Sequence, residues 1–153
     1  MTARTHRSTA VAHRRRCPLT PLDERLPLHG NGDLVRLRQR VRALSVELRF
    51  SIVDQTKIIT AASELGRNVM VHGGGGEARI EVVELNGRRG ISLTFNDEGP
   101  GIPDLQQALK DGFTTGNGLG LGLGGSKRLV HEFHLHSEPG KGTEVTITHW
   151  AGS

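Results

Sequence analysis

The chain has 153 residues, enough for one domain with a substantial core, and no apolar run approaches the ~18 residues of a membrane span. Four Phe, one Trp and no Tyr argue against an aromatic platform for single-stranded nucleic acid, and the lone Cys17 excludes an internal disulfide or a cysteine zinc site. The net charge of +4 is unevenly spread: residues 1–22 hold five arginines (Arg4, Arg7, Arg14, Arg15, Arg16) and no acid, leaving 15 basic against 16 acidic residues in the remainder.

The basic character therefore belongs to a tail, residues 1–22, that is too polar to pack and is expected to be disordered. Nucleic acid is an unlikely partner for the rest, residues 23–153, which are read as one domain. The reduced cysteine and the lack of a membrane span predict a cytoplasmic setting.

A short strand is predicted near Arg25–His29. Asp33 is placed as the cap of a helix over Leu34–Leu48, with Leu34, Leu37, Val41, Leu44 and Leu48 on one side. Asp54 is placed as the cap of a second helix, from about Gln55 to Val71, with Ile58, Ile59, Ala62, Leu65 and Val69 at helical spacing. The run Gly73–Gly76 ends it. Strands Ala78–Leu85 and Gly90–Asn96 follow, joined through Asn86-Gly87, a hairpin signal. Next come a bend at Asp97-Glu98-Gly99-Pro100-Gly101-Ile102, a short helix near Leu105–Lys110 and a polar loop at Asp111–Asn117. A glycine-rich entry leads into a helix ending near Glu132 or Phe133. Strands Leu135–Ser137 and Glu144–Trp150 flank the turn at Pro139–Gly142. Helices segregated from strands predict an α+β two-layer sandwich, with a mixed, mostly antiparallel sheet and helices on one face.

Several residues have the types that chemistry needs. Asp97 ends a strand, and the Gly-Pro-Gly bend after it leaves bare backbone nearby. That suits a flat, amine-bearing ligand such as adenine, and it equally fits a surface turn. Glu64 and Asn68 lie four apart on one helix face, with Arg67 close by. A carboxylate and a carboxamide so placed fit a base and a Mg²⁺ ligand, or a solvated face. Gly118-Leu119-Gly120-Leu121-Gly122-Leu123-Gly124-Gly125 opens a helix and lets backbone amides approach phosphate, with Lys127 in what reads as the first turn. The spacing Gly120, Gly122, Gly125 formally matches a dinucleotide fingerprint, but a polar loop precedes it in place of a strand. Thr143 begins the last strand; its hydroxyl could reach a base near Asp97, and it equally fits an ordinary strand-start threonine. His134 and His136 share a strand face while His131 falls on a helix, so no recognised zinc spacing is complete.

Taken in order, Glu64-x-x-x-Asn68, Asp97-x-Gly99-x-Gly101, Gly118–Gly125 and Gly142-Thr143 resemble the N, G1, G2 and G3 boxes of the GHKL ATPase/kinase superfamily, which has the Bergerat fold. Ser63–Asn68, Asp111–Gly116 and Lys127-Arg128-Leu129 are similar to the anti-sigma regulatory serine kinases, in the switch-kinase branch of the stressosome. A histidine kinase would need a dimerisation helix pair, and topoisomerase-type and chaperone-type relatives need further domains; 153 residues leave no room for these.

The resemblance implies ATP and Mg²⁺ as cofactors. It implies that Asp97 accepts the adenine amino group with Thr143 assisting, and that Gly99 and Gly101 permit close approach. Asn68 would ligate Mg²⁺, Glu64 would act as base or orient a serine hydroxyl, and Gly118, Gly120 and Gly122 would cradle phosphates beneath a lid at Asp111–Asn117. The implied substrate is a STAS-domain antagonist protein, and the implied downstream partner a PP2C-type phosphatase. An anti-sigma factor that holds a sigma subunit directly is the alternative. The four-glycine run at Gly73–Gly76 departs from the family pattern.

Overall fold

The computed structural model describes residues 23–101 and 122–152. The tail at 1–22, the short helix and polar loop predicted at 105–117, and Gly118 and Gly120 lie outside them. In chain order the elements are β1 (Glu24–Leu28), α1 (Asn31–Glu47), α2 (Ile52–Val71), β2 (Gly76–Leu85), β3 (Arg88–Asp97), α3 (Gly122–Leu129), β4 (Glu132–Glu138) and β5 (Gly142–Trp150). The five strands form one sheet in the order β1-β2-β3-β5-β4, and every pairing among them is antiparallel.

Strand alternation builds the core. Ala78, Ile80 and Val82 of β2 stand opposite Phe95, Leu93 and Ile91 of β3, which stand opposite Val145, Ile147 and His149 of β5. This face meets Leu34, Leu37, Val41 and Leu44 of α1 and Ile58, Ala61, Ala62, Leu65 and Val69 of α2, all buried. At Gly66 an added methyl would press on Leu34 and Leu37, so the glycine lets α1 and α2 close on each other. Pro27, which has no amide proton to pair, sits on edge strand β1. Asn86 and Gly87 both have positive φ, 52° and 82°, the two-residue turn whose twist matches flanking antiparallel strands.

Three boundaries differ from expectation. Helix α1 starts at Asn31, with Gly30 as its cap, and α2 starts at Ile52 behind Ser51, whose Oγ accepts from the Asp54 amide at 3.0 Å. Asp33 and Asp54 therefore lie inside the first turn. Asp33 Oδ2 accepts from the amides of His29 (2.9 Å) and Gly30 (3.3 Å), and those bonds hold its carboxyl below the usual range. Helix α3 stops at Leu129, and β4 begins at Glu132, because Glu132 already pairs with Thr148 of β5. His131 thus precedes a strand and is not helical. Lys127 falls in the last turn of α3, exposed, instead of the first.

At the end of the sheet where β5 finishes, His149 is 2 % exposed. Its Nε2 donates to Asp54 Oδ1 at 2.9 Å, and the His131 ring stacks on it at 4.0 Å and 8°. His131 Nδ1 accepts from the Trp150 amide at 2.9 Å, which requires that nitrogen to be unprotonated. Burial, then His149, Arg88 and Lys57, push the His131 imidazole below its ordinary 6.5, against the raising influence of Asp54; the bond from His149 is the main cause holding Asp54 below 3.8. Both shifts are downward, so the unfolded chain binds more protons and stability rises with pH. The thermal midpoint is expected to fall as pH drops from 7 through the imidazole range, and to fall again below pH 4 as Asp54 protonates. Differential scanning fluorimetry checks this, and His131→Gln should remove the first phase while leaving the second.

Candidate active site

The opposite end of the sheet gathers the residues singled out by their chemistry. Asp97, the last residue of β3, points to the helix-bearing face with Phe95, Leu93 and Ile91. Register places Gly76, Asp97, Thr143 and Ser137 in one row across β2, β3, β5 and β4. Asp97 Oδ1 accepts from the Gly99 amide at 2.9 Å, which closes the bend and fixes the carboxylate. The bend is tied down further along by the Gly140 amide, which donates to the Pro100 carbonyl at 2.8 Å.

Glycines crowd this acid from every side. A methyl on Gly73, just past the end of α2, would overlap the Asp97 carboxylate, and one on Gly99 would strike the Gly73 backbone. A methyl on Gly142 would strike the Asp97 carbonyl, and Gly142 has φ 95° besides. The first glycine of the four, Gly73, lets α2 end directly against Asp97. Sequence reasoning missed Gly73 and Ser137; the only local signal for Gly73 was the length of the run itself. We expect Gly73→Ala to weaken nucleotide affinity at least about tenfold by displacing the carboxylate, while circular dichroism stays unchanged; calorimetry reads the affinity.

Helix α2 carries the second group. Glu64 is 4 % exposed, and its Oε2 has no hydrogen-bond partner among the described residues. Arg67 Nε is also buried without a partner among the described residues. A buried carboxylate oxygen left without a hydrogen bond costs free energy, which makes Glu64 a candidate for bonding to a ligand or substrate group. Asn68, half-buried one turn on, shares that face, and its carbonyl accepts from the amides of His72 and Gly73, leading the chain straight to the Asp97 contact. Gly122 opens α3, which places the third glycine of the predicted cradle at a helix start; Leu123 and Ser126 root this helix in the core. The structure thus unites Asp97, Gly99, Gly101, Thr143 and Gly73 at one end of the sheet. It puts Glu64 and Asn68 on the helix that ends there.

These residues fit an adenine nucleotide with a divalent cation. The orphaned Glu64 oxygen and the Asp97 carboxylate, set beside bare glycine backbone, are what such a ligand would use. Among the described residues no helix is long and apolar enough to cross a membrane, and no group of three or more His, Cys, Asp or Glu is gathered to hold a metal.

Residues 53–151 match the family described as histidine kinase-, DNA gyrase B-, and HSP90-like ATPase. Serine/threonine-protein kinase RsbT of Bacillus subtilis (strain 168) is 47% identical over 118 residues, which cover 77% of this chain and 89% of that protein. Anti-sigma F factor of Thermoanaerobacter sp. (strain X514) is 32% identical over 121 residues, 76% of this chain and 84% of that one. A crystal structure of the RsbU and RsbW domains of a Mycobacterium tuberculosis protein superposes with a TM-score of 0.59 at 21% identity, covering 88% of this chain and 34% of the other; it supports the fold alone.

Proposed function

The chain belongs to the histidine kinase-, DNA gyrase B- and HSP90-like (GHKL) ATPase family, and from that premise we propose that it is the switch kinase of a partner-switching pathway. It is an ATP-dependent protein serine/threonine kinase. In this reading it works in the cytoplasm, and its substrate is a serine or threonine on a STAS-domain antagonist. Once that antagonist is phosphorylated, the kinase binds and activates a PP2C-type phosphatase. The observation that carries the site assignment is the buried Glu64, whose Oε2 has no partner among the described residues, on the helix that ends against Asp97.

ATP with Mg²⁺ supplies the phosphoryl group and neutralises its charge, so the protein's task is mainly positioning. Asp97 accepts from the adenine amino group, with Thr143 beside it in the row, and Gly99, Gly101 and Gly73 keep the approach clear. Asn68 offers a neutral oxygen to Mg²⁺. Gly118, Gly120 and Gly122 present amides to phosphate. Glu64 accepts the proton of the attacking hydroxyl or aligns it, and its burial excludes the water that would otherwise compete.

Incubation with Mg·ATP and each STAS-domain protein encoded with it, followed by phosphoserine mapping, tests the kinase reading. ATP binding without transfer to any of them would sink the proposed substrate class. The similarity to an anti-sigma F factor supports a second reading, in which the chain grips a sigma subunit and phosphorylates that subunit's antagonist. Co-purification separates the two, yielding a phosphatase or a sigma subunit.

A further inference from the structure

The corner between α1 and α2 carries three large apolar side chains in water: Val46 is 57 % exposed, Ile52 75 % and Val53 61 %. Among the described residues only Val35 and Val71 are comparable, and they lie elsewhere on the two helices. The backbone under the corner is firmly held. Leu48 and Phe50 are buried, the Phe50 amide donates to the Ser45 carbonyl at 2.8 Å, and the Gln55 side chain donates to the Phe50 carbonyl at 2.9 Å. Between those two buried residues stands Arg49, exposed, with φ 64°. That is the left-handed region, where any side chain costs stability and glycine does not. An exposed arginine at a glycine position adds nothing to the packing, and strain of this kind collects at functional positions.

The surroundings are basic. Arg42 and Lys57 are exposed on the adjoining turns, and Arg88 belongs to the same end, where it donates to the Ala151 carbonyl at 2.9 Å. Within residues 42–57 the acids are Glu47 and Asp54, and Asp54 is bonded to His149 Nε2 at 2.9 Å and to Ser51 Oγ at 3.0 Å. The charge decides what can cover the apolar residues. The chain's own residues 1–22 hold five arginines and no acid, so this surface repels them. A second copy docking by the same corner would set Arg49 and Lys57 against their own counterparts. We propose that the α1–α2 corner is a docking surface for an acidic segment with apolar side chains on a partner protein, with Arg49 as its central contact. From Ile52 to Asn68 the axis of α2 runs about 24 Å, so a partner can sit here while the nucleotide end is occupied. Resting on the switch-kinase reading, that partner is the phosphatase the chain activates and not the antagonist it phosphorylates.

The test measures the affinity of the full chain for the PP2C-type phosphatase encoded with it, beside the rate of antagonist phosphorylation and a thermal melt. Wild-type binding is expected to weaken at least about threefold when salt rises from about 50 to about 300 mM. Arg49→Gly should melt about 2–4 °C higher, because the strain is relieved, and yet bind the phosphatase about tenfold more weakly. Arg49→Glu should weaken binding by about 100-fold or more, and Ile52→Ser with Val53→Ser by at least about tenfold. All of these variants should phosphorylate the antagonist at the wild-type rate. An Arg49→Gly protein that melts higher and binds the phosphatase as tightly as wild type refutes the docking surface, and so do variants that lose antagonist phosphorylation while phosphatase binding is kept. A wild type that neither phosphorylates an antagonist nor binds a phosphatase fails at the switch-kinase reading itself, and the proposed partner falls with it.

Discussion

Asp97→Asn is expected to lower ATP affinity at least about 100-fold with the fold intact, as read by isothermal calorimetry beside a thermal melt. The reason lies in how many donors this side chain serves. One oxygen already accepts from the Gly99 amide at 2.9 Å, and the proposed adenine amino group needs the other. A carboxylate accepts at both positions. A carboxamide accepts at one and donates at the other, so in either flip it places N–H against N–H, on the bend or on the base. Nothing allows it to move away, because the Gly73 and Gly99 backbones are packed against that carboxylate and against each other. Wild-type affinity in Asp97→Asn would contradict the adenine assignment.

Glu64→Gln should separate binding from chemistry. The two side chains have nearly the same shape, so the packing around a residue only 4 % exposed is kept. The proton-accepting ability is lost. Phosphotransfer to the antagonist is expected to fall by about 10²–10⁴, while ATP affinity changes by no more than about threefold. Because Glu64 Oε2 bonds to nothing among the described residues, the variant breaks no existing bond and should melt no lower than wild type. A Glu64→Gln protein with full transfer rate would remove Glu64 from the chemistry. One that loses ATP binding as well would make it a nucleotide-site residue instead.

Much of this architecture was legible because it is local. Leu34 to Leu48 and Ile58 to Val69 repeat at helical spacing, and Asn86-Gly87 admits few conformations other than the hairpin observed. Boundaries slipped where two residue types share a task. Asp33 and Asp54 are good capping residues, yet at the third helical position an acid also satisfies first-turn amides, so the caps fell to Gly30 and Ser51. The end of α3 was misplaced because Leu129, Val130 and Phe133 keep a helical apolar rhythm; pairing with β5 takes the chain away first. For the site, the residue types at Glu64, Asn68, Asp97 and Thr143 were visible. The contact between Gly73 and Asp97, and the row that joins Asp97 to Thr143 and Ser137, were not. The row depends on β5 inserting between β3 and β4, and the contact on where α2 ends against β3; no local pattern encodes either.

The β2–β3 hairpin also has a bearing on how the molecule assembles. Its ten-residue strands close over a two-residue turn, so Gly76 meets Asp97 at little loop-entropy cost. Thr143 reaches Asp97 only once β5 has docked against β3, a pairing distant in the chain. The two walls of the recess therefore belong to early and late stages of folding. A ligand that spans them is expected to contact one half that forms before the folding barrier and one half that forms after it. Such a ligand should act chiefly on the unfolding rate: bound nucleotide slows the escape of β5 while leaving the speed of hairpin closure nearly untouched.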